Sequence, residues 1–172
     1  PLAVEAGMAV LRRGGSAVDA AVAVQAVLGL VEPQSSGLGG GAFMMHYDAA
    51  TREITVYDGR ETAPAAATPE LFYENGRPLG FEDAVLSGRS TGVPGAVALL
   101  GAAQAAHGRL PWSELFSEAE RLARDGFVVS PRLAGFIATP RGQSRTPAAT
   151  AYFTKPDGAR YVAGDTLRNP EY

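Results

Sequence analysis

Cysteine is absent from all 172 residues, which excludes disulfides, thiolate zinc sites and thiol nucleophiles and leaves the redox compartment open. Lysine is nearly absent as well. Fourteen arginines stand against one lysine, so a lone arginine is weak grounds for a site and only its setting can promote one. Neither a basic nor an acidic block is present. The net charge of -3 offers no surface for a phosphate backbone, which speaks against nucleic acid as a partner. No apolar run reaches the roughly 18 residues that a bilayer span needs. The longest, 17–31, is alanine-rich and interrupted by Asp19 and Gln25, so it reads as a buried helix. There are two histidines, His46 and His107, with no second ligand at helical spacing, so neither marks a metal site and both read as solvated or packed. Ser35-Ser36 does not sit in a Gly-x-Ser-x-Gly elbow, and no Ser-Lys or Ser-His pairing follows from spacing, which disfavours a serine hydrolase.

What is present is a chain large enough for one domain with a core, since about 150 residues bury roughly 70% of their unfolded surface. Apolar residues make up 46%, but 21 glycines and 12 prolines exceed the roughly 12% of ordinary usage and predict long irregular connections. The chain opens on Pro1 and closes on Glu171-Tyr172, and it is read as a segment of a longer protein, so the lack of a signal peptide carries no information. No repeat and no dividing linker is visible, and 1–172 is read as a single segment.

Residues 2–13 have helical apolar spacing, a basic end and Gly14-Gly15 as the stop. Ser16 with Asp19 three positions on resembles a capping box, and 17–30 carries alanine, valine and leucine on every face, the pattern of a helix buried nearly all round. Pro33 ends it. Residues 42–47 and 53–57 are strand-like and flank a hairpin connection, which delivers Asp58-Gly59-Arg60-Glu61 at its far end. Residues 64–69 are too proline-rich to be regular, 69–73 read as a helical turn before Asn75-Gly76, and the stretch to Ser90 reads mostly as loop. Helices are predicted over 96–107, over 111–124 and from Ser130-Pro131. Residues 139–151 read as a mobile loop, and 152–161, around Pro156-Asp157-Gly158, as a short hairpin or extended pair.

Gly37-Leu38-Gly39-Gly40-Gly41 invites a phosphate-loop reading, but the glycines precede a strand instead of following one, and no Gly-Lys-Ser/Thr is present. The better reading is that they permit positive backbone angles and close packing at the start of the strand. Arg60 leaves two readings open. It lies between Asp58 and Glu61, either of which it can pair with, or it can aim a planar five-donor fork into a cleft and take a carboxylate bidentately.

Several ordered motifs carry a resemblance. Gly14-Gly15-Ser16-Ala17-Val18-Asp19-Ala20-Ala21, Ser35-Ser36-Gly37-Leu38-Gly39-Gly40-Gly41-Ala42-Phe43-Met44-Met45, Asp58-Gly59-Arg60-Glu61-Thr62-Ala63-Pro64, Thr91-Gly92-Val93-Pro94-Gly95, Gly126-Phe127-Val128-Val129-Ser130 and Gly164-Asp165-Thr166-Leu167 follow one another through essentially the whole chain. Together they resemble the large subunit of the γ-glutamyltransferases, self-cleaving N-terminal-nucleophile hydrolases. The resemblance implies an α/β (α+β) chain forming the amino-terminal part of a four-layer αββα fold. It implies a γ-glutamyl substrate such as glutathione, a small subunit made by autocleavage as partner, and no metal or organic cofactor. Arg60, in Arg60-Glu61-Thr62-Ala63-Pro64, matches the arginine that binds the α-carboxylate of the γ-glutamyl group. The family's nucleophile is the terminal threonine of the small subunit, usually in a Thr-Thr-His segment, and no such segment is present. Thr62, Thr91 and Thr166 lie in other contexts, so no catalytic residue is assigned in this chain and the segment alone is expected to be inactive. Family members are commonly exported, which implies a periplasmic or extracellular site. Two alternatives stand beside this reading: a cephalosporin-acylase-like relative of different specificity, and a non-catalytic scaffold.

Overall fold

The computed structural model describes all residues, 1–172. In chain order the elements are α1 (Leu2–Arg12), α2 (Ala17–Val31), β1 (Ala42–Asp48), β2 (Glu53–Gly59), β3 (Tyr73–Glu74), β4 (Arg77–Pro78), α3 (Phe81–Leu86), α4 (Ala96–His107), α5 (Ser117–Asp125), β5 (Phe127–Val128), α6 (Pro131–Ala138), α7 (Pro147–Tyr152) and β6 (Thr166–Leu167), with 3-10 turns at Trp112–Phe116 and Gly142–Arg145. The mixed α/β (α+β) content follows the sequence expectation. No helix is long and apolar enough to cross a membrane. The residues group into two compact units, one of 1–61, 94–127 and 168–172, the other of 62–93 and 128–167.

The first unit is organised around α2. Its capping box is formed as the sequence predicts: Ser16 Oγ accepts from the Asp19 N–H at 3.1 Å, and an Asp19 carboxylate oxygen accepts from the Ser16 N–H at 2.9 Å. From there the helix is buried on several faces at once, through Val18, Ala20, Val22, Ala23, Ala26, Val27 and Leu30. Each valine or leucine taken from water contributes about 1.5–3 kcal/mol, so α2 is stabilised by packing far more than by helix propensity. Around it lie α1, α4, α5 and the Trp112–Phe116 turn, with a core that includes Val10, Leu99, Leu100 and Leu115.

Asp19 is the fully buried charged residue of this unit, and its carboxylate does more than close the cap. It also accepts from the backbone N–H groups of Arg109 (2.8 Å) and Leu110 (3.2 Å) and from Gln104 Nε2 (3.3 Å). Burial works to raise its pKa. The amides of Ser16 and Arg109, the Gln104 side chain and the Leu110 amide outweigh that and hold it below the ordinary carboxylate value. One side chain thus ties the start of α2 to the connection that follows α4.

β1 and β2 form an antiparallel hairpin with Ala42 opposite Gly59 and Asp48 opposite Glu53. Their two-residue alternation turns Ala42, Met44 and Tyr57 towards the helices, where they pack on the core, and Phe43, Met45, Tyr47, Ile54 and Val56 away from it. Those five side chains are each 58–71% exposed, so this face of the hairpin is a bare apolar patch, bounded at one end by Asp58 opposite Phe43.

In the second unit, β3 and β4 pair across Asn75-Gly76, whose positive φ values of 52° and 74° are those of a tight hairpin turn. The helical turn expected over 69–73 just before it is present as a hydrogen-bonded turn, with the Leu71 N–H donating to the Thr68 carbonyl (3.0 Å) and the Tyr73 N–H to the Glu70 carbonyl (2.8 Å). Ser130 Oγ accepts from the Leu133 N–H at 3.0 Å and Pro131 opens α6, as the sequence predicts. The bridge between Thr154 and Arg160 matches the extended pair expected there.

Three elements depart from the sequence reading. The helix expected over 111–124 begins as a 3-10 turn at Trp112–Phe116 and becomes α5 only at Ser117. α3 lies in the stretch read as loop, because its six residues bury nothing and leave no periodicity to read. Residues 139–151, read as a mobile loop, hold a 3-10 turn and α7. Thr146 caps α7 by accepting from the Ala149 N–H, with Pro147 in the first turn, so the Ser130-Pro131 signal recurs there in a stretch of small residues.

Candidate functional site

The inner-face position at the end of β2 is Gly59, and it must be glycine for a reason of space. A Cβ there would lie 2.6 Å from Leu99 Cβ and 2.8 Å from the Gly95 carbonyl oxygen, while one on Gly95 would strike the Gly59 backbone. Two glycines thus let the end of β2 touch the start of α4. α4 has no side-chain cap. Its first amides are satisfied instead by the glycine loop: the Gly40 carbonyl accepts from the N–H groups of Gly95 (3.1 Å) and Ala96 (3.0 Å). The loop, the hairpin end and the helix start are therefore locked together by backbone contacts.

Arg60 leaves this junction as the first residue past β2. Its N–H donates to Asp58 Oδ1 at 2.9 Å, which turns the chain out of the ladder. Its side chain is 71% exposed, and Nε stands 3.3 Å from Glu61 Oε2. The ion pair left open by the sequence is therefore made with Glu61, while Asp58 holds the backbone. The guanidinium makes no hydrogen bond and has no ion-pair partner but Glu61, so its terminal nitrogens form a fork open to a ligand. The arrangement can bind a carboxylate, and the two acids beside it are engaged with Arg60 itself, Glu61 with its side chain and Asp58 with its backbone.

The glycine loop acts differently from one part of the expectation. None of Gly37, Gly39, Gly40 and Gly41 has a positive φ, so conformational freedom is not what those positions require. Close packing is, at Gly40 and Gly41, where the Glu61 carboxylate lies over the backbone. Single-sequence reading missed this, because the partner of Gly41 is twenty positions away in a different element.

His46 and His107 come together at the opposite end of the hairpin. Their rings stack at 3.7 Å with 16° between planes, and His107 Nε2 shares a 2.9 Å hydrogen bond with the Tyr57 hydroxyl. With Ser16, Asp48 and Arg109 they line an open cleft of about 350 Å³. The turn amides of Ala50 and Thr51, with a smaller contribution from the two histidines, hold the Asp48 carboxyl below its ordinary value. No three side chains of ligand type converge to hold a metal.

This arrangement of helices on one face of a hairpin is that of known structures. The chain superposes on the Helicobacter pylori gamma-glutamyltranspeptidase with a TM-score of 0.89 and 33% identity, over 99% of this chain and 49% of that one. It also matches the cephalosporin acylase of Bacillus halodurans, with a TM-score of 0.78 and 28% identity, over 99% of this chain and 32% of that one. In sequence it is 43% identical to the glutathione hydrolase proenzyme of Bacillus subtilis (strain 168) over 169 residues, which cover 97% of this chain and 28% of that protein. The gamma-glutamyltranspeptidase family model matches residues 3–172, and the chain belongs to that family. It spans about a quarter of the length of the curated relatives it matches.

Proposed function

We propose that 1–172 is a single segment from the amino-terminal part of the large subunit of a γ-glutamyltransferase acting on glutathione and related γ-glutamyl compounds. The observation that carries this is the free fork of Arg60, held at the end of β2 by Glu61 and facing solvent. Arg60 binds the α-carboxylate of the γ-glutamyl group through two parallel N–H···O bonds. The nucleophile is the terminal threonine of the small subunit, outside this chain. Its hydroxyl, deprotonated by its own α-amine, attacks the γ-glutamyl carbonyl; the donor's amine leaves with that proton, and water or an amino-acid acceptor then resolves the ester. This segment alone supplies binding and no bond-breaking group.

The partner is the protein's own small subunit. Supporting this, β1–β2 is a two-stranded sheet with a bare apolar face, and both its strand edges lack a neighbouring strand. Such a pair is marginal by itself and is completed by further strands and an opposing layer.

The test uses the complete gene product with a chromogenic γ-glutamyl anilide and an intact-mass measurement of cleavage into two subunits. Cleavage with turnover supports the reading. Arg60→Ala is expected to raise KM by about a hundredfold or more, as a carboxylate deprived of a desolvated charged partner forfeits roughly 3–5 kcal/mol. An unchanged KM removes Arg60 from the pocket. The match to a cephalosporin acylase favours a second reading, in which the acyl group lacks an α-amino acid end. Turnover of glutaryl donors but not γ-glutamyl donors would establish that instead.

A further inference from the structure

We propose that Gly41 is a positioning residue for the substrate pocket: the space left by its missing side chain seats the Glu61 carboxylate, and Glu61, so seated, sets the direction of the Arg60 fork. The proposal rests on the reading of Arg60 as the α-carboxylate ligand. A Cβ on Gly41 would overlap Glu61 Oε2 and stand 2.8 Å from Glu61 Cδ. The backbones on both sides are held, so the Glu61 carboxylate, at the end of its flexible side chain, is what must move. The loop is held through the Gly40 carbonyl by the Gly95 and Ala96 amides, and the chain entering Arg60 is held through Gly59, which touches Leu99 and Gly95. Glu61 is half as exposed as Arg60, 35% against 71%, so it is the anchored member of the pair. The Gly41 backbone lies outside the left-handed region, so an alanine is excluded there by volume and not by φ. Added volume pushes the carboxylate off its seat, and the guanidinium, joined to it at Nε, turns with it.

An Ala Cβ at 41 would also stand 2.8 Å from the Gly59 carbonyl oxygen, so the test must separate positioning from backbone strain. In the complete, self-cleaved protein, Gly41→Ala is combined with Arg60→Ala in a double-mutant cycle, using a γ-glutamyl anilide as donor. Gly41→Ala alone is expected to raise KM about tenfold with kcat within about threefold, as expected for a misplaced binding group. In the Arg60→Ala background the same change adds less than about twofold, since its route to substrate is gone. Gly39→Ala, where a Cβ meets nothing within 4 Å, is the control for loop substitution and leaves KM unchanged. If Gly41→Ala blocks cleavage, Glu61→Asp withdraws the carboxylate from the same seat without adding atoms, and the same rise in KM is expected. A rise for Arg60→Ala but none for Gly41→Ala or Glu61→Asp overturns this inference and leaves the role of Arg60 standing. An equal loss of kcat from Gly41→Ala in both backgrounds also overturns it, in favour of strain. An unchanged KM for Arg60→Ala sinks the underlying reading, and the inference with it.

Discussion

The two units hold themselves together by different means. The first packs an apolar core around α2 and draws one buried carboxylate, Asp19, into contact with backbone amides about 90 residues distant in the chain. The second has a shorter list of buried apolar side chains, among them Val129, Leu133, Ile137 and Leu167, and relies on local devices. These are the caps at Ser130 and Thr146, the Asn75-Gly76 turn, and ion pairs such as Arg89–Glu74, Arg145–Glu82 and Lys155–Asp165. Arg60 and Glu61 stand at the edge of the first unit, on a strand end fixed by glycine packing against α4. The carboxylate-binding role proposed for Arg60 calls for a backbone held in place, and the cored unit provides one at Gly59.

The contrast can be broken most forcefully at Asp19. Asp19→Ala leaves three backbone N–H groups and the Gln104 amide without their acceptor, which costs about 3 kcal/mol or more. Hydrogen exchange on the complete protein should then show protection of α2 falling by about a hundredfold or more, with peptides of the second unit unchanged. A uniform fall would mean that the two units open together.

Acid should act on the same group. The Asp19 carboxyl is lowered in the folded protein, so its contribution is fully present above the unfolded value of about 3.9 and is lost as pH falls through the folded value. Protection of α2 should therefore fall with acidification below about pH 4. Protection of α2 that stays flat across that range would show that Asp19 is not held low.

A smaller effect is expected at the glycine junction. Gly59→Ala forces a methyl against Leu99 and the Gly95 carbonyl, an overpacking cost of about 1–3 kcal/mol. Exchange at the amides of Gly95 and Ala96 would report it directly, and unchanged rates there would mean that the junction yields easily.

The smallest effect is expected in the second unit. Arg145→Ala removes a pair whose two side chains are more than half exposed, worth about 0.2–1 kcal/mol and diminished by salt. Exchange in α3 should rise slightly at low ionic strength and not at all in high salt. A large rise at either would show that ion pairs carry more of that unit than its exposure suggests.

Much of the first unit was legible because its signals are short-range. Ser16 and Asp19 lie three positions apart, the alternation of β1 and β2 has a period of two, and Gly108 follows the last apolar turn of α4. In the second unit the same kind of signal worked at Ser130-Pro131 and was overlooked at Thr146-Pro147, where small residues resembled loop. α3 buries nothing and so left no pattern to see. For the candidate site, the ordered motifs singled out Arg60 and the residues offered its two neighbours as partners, but the choice of Glu61 for the side chain and Asp58 for the backbone belongs to the fold.

By itself the sequence determined α1, α2, α4, α6 and the β1–β2 hairpin, the caps at Ser16 and Ser130, and which family's motifs run along the chain. These depend on contacts within a few residues, whose energies local composition sets. Tertiary structure alone decided that Gly41 seats Glu61, that Gly59 meets Gly95, that Asp19 reaches the amides of Arg109 and Leu110, and that His46 stacks on His107. Each joins residues 20 to 91 positions apart through the shape of the space between elements, and that shape exists only once the helices have packed against the hairpin.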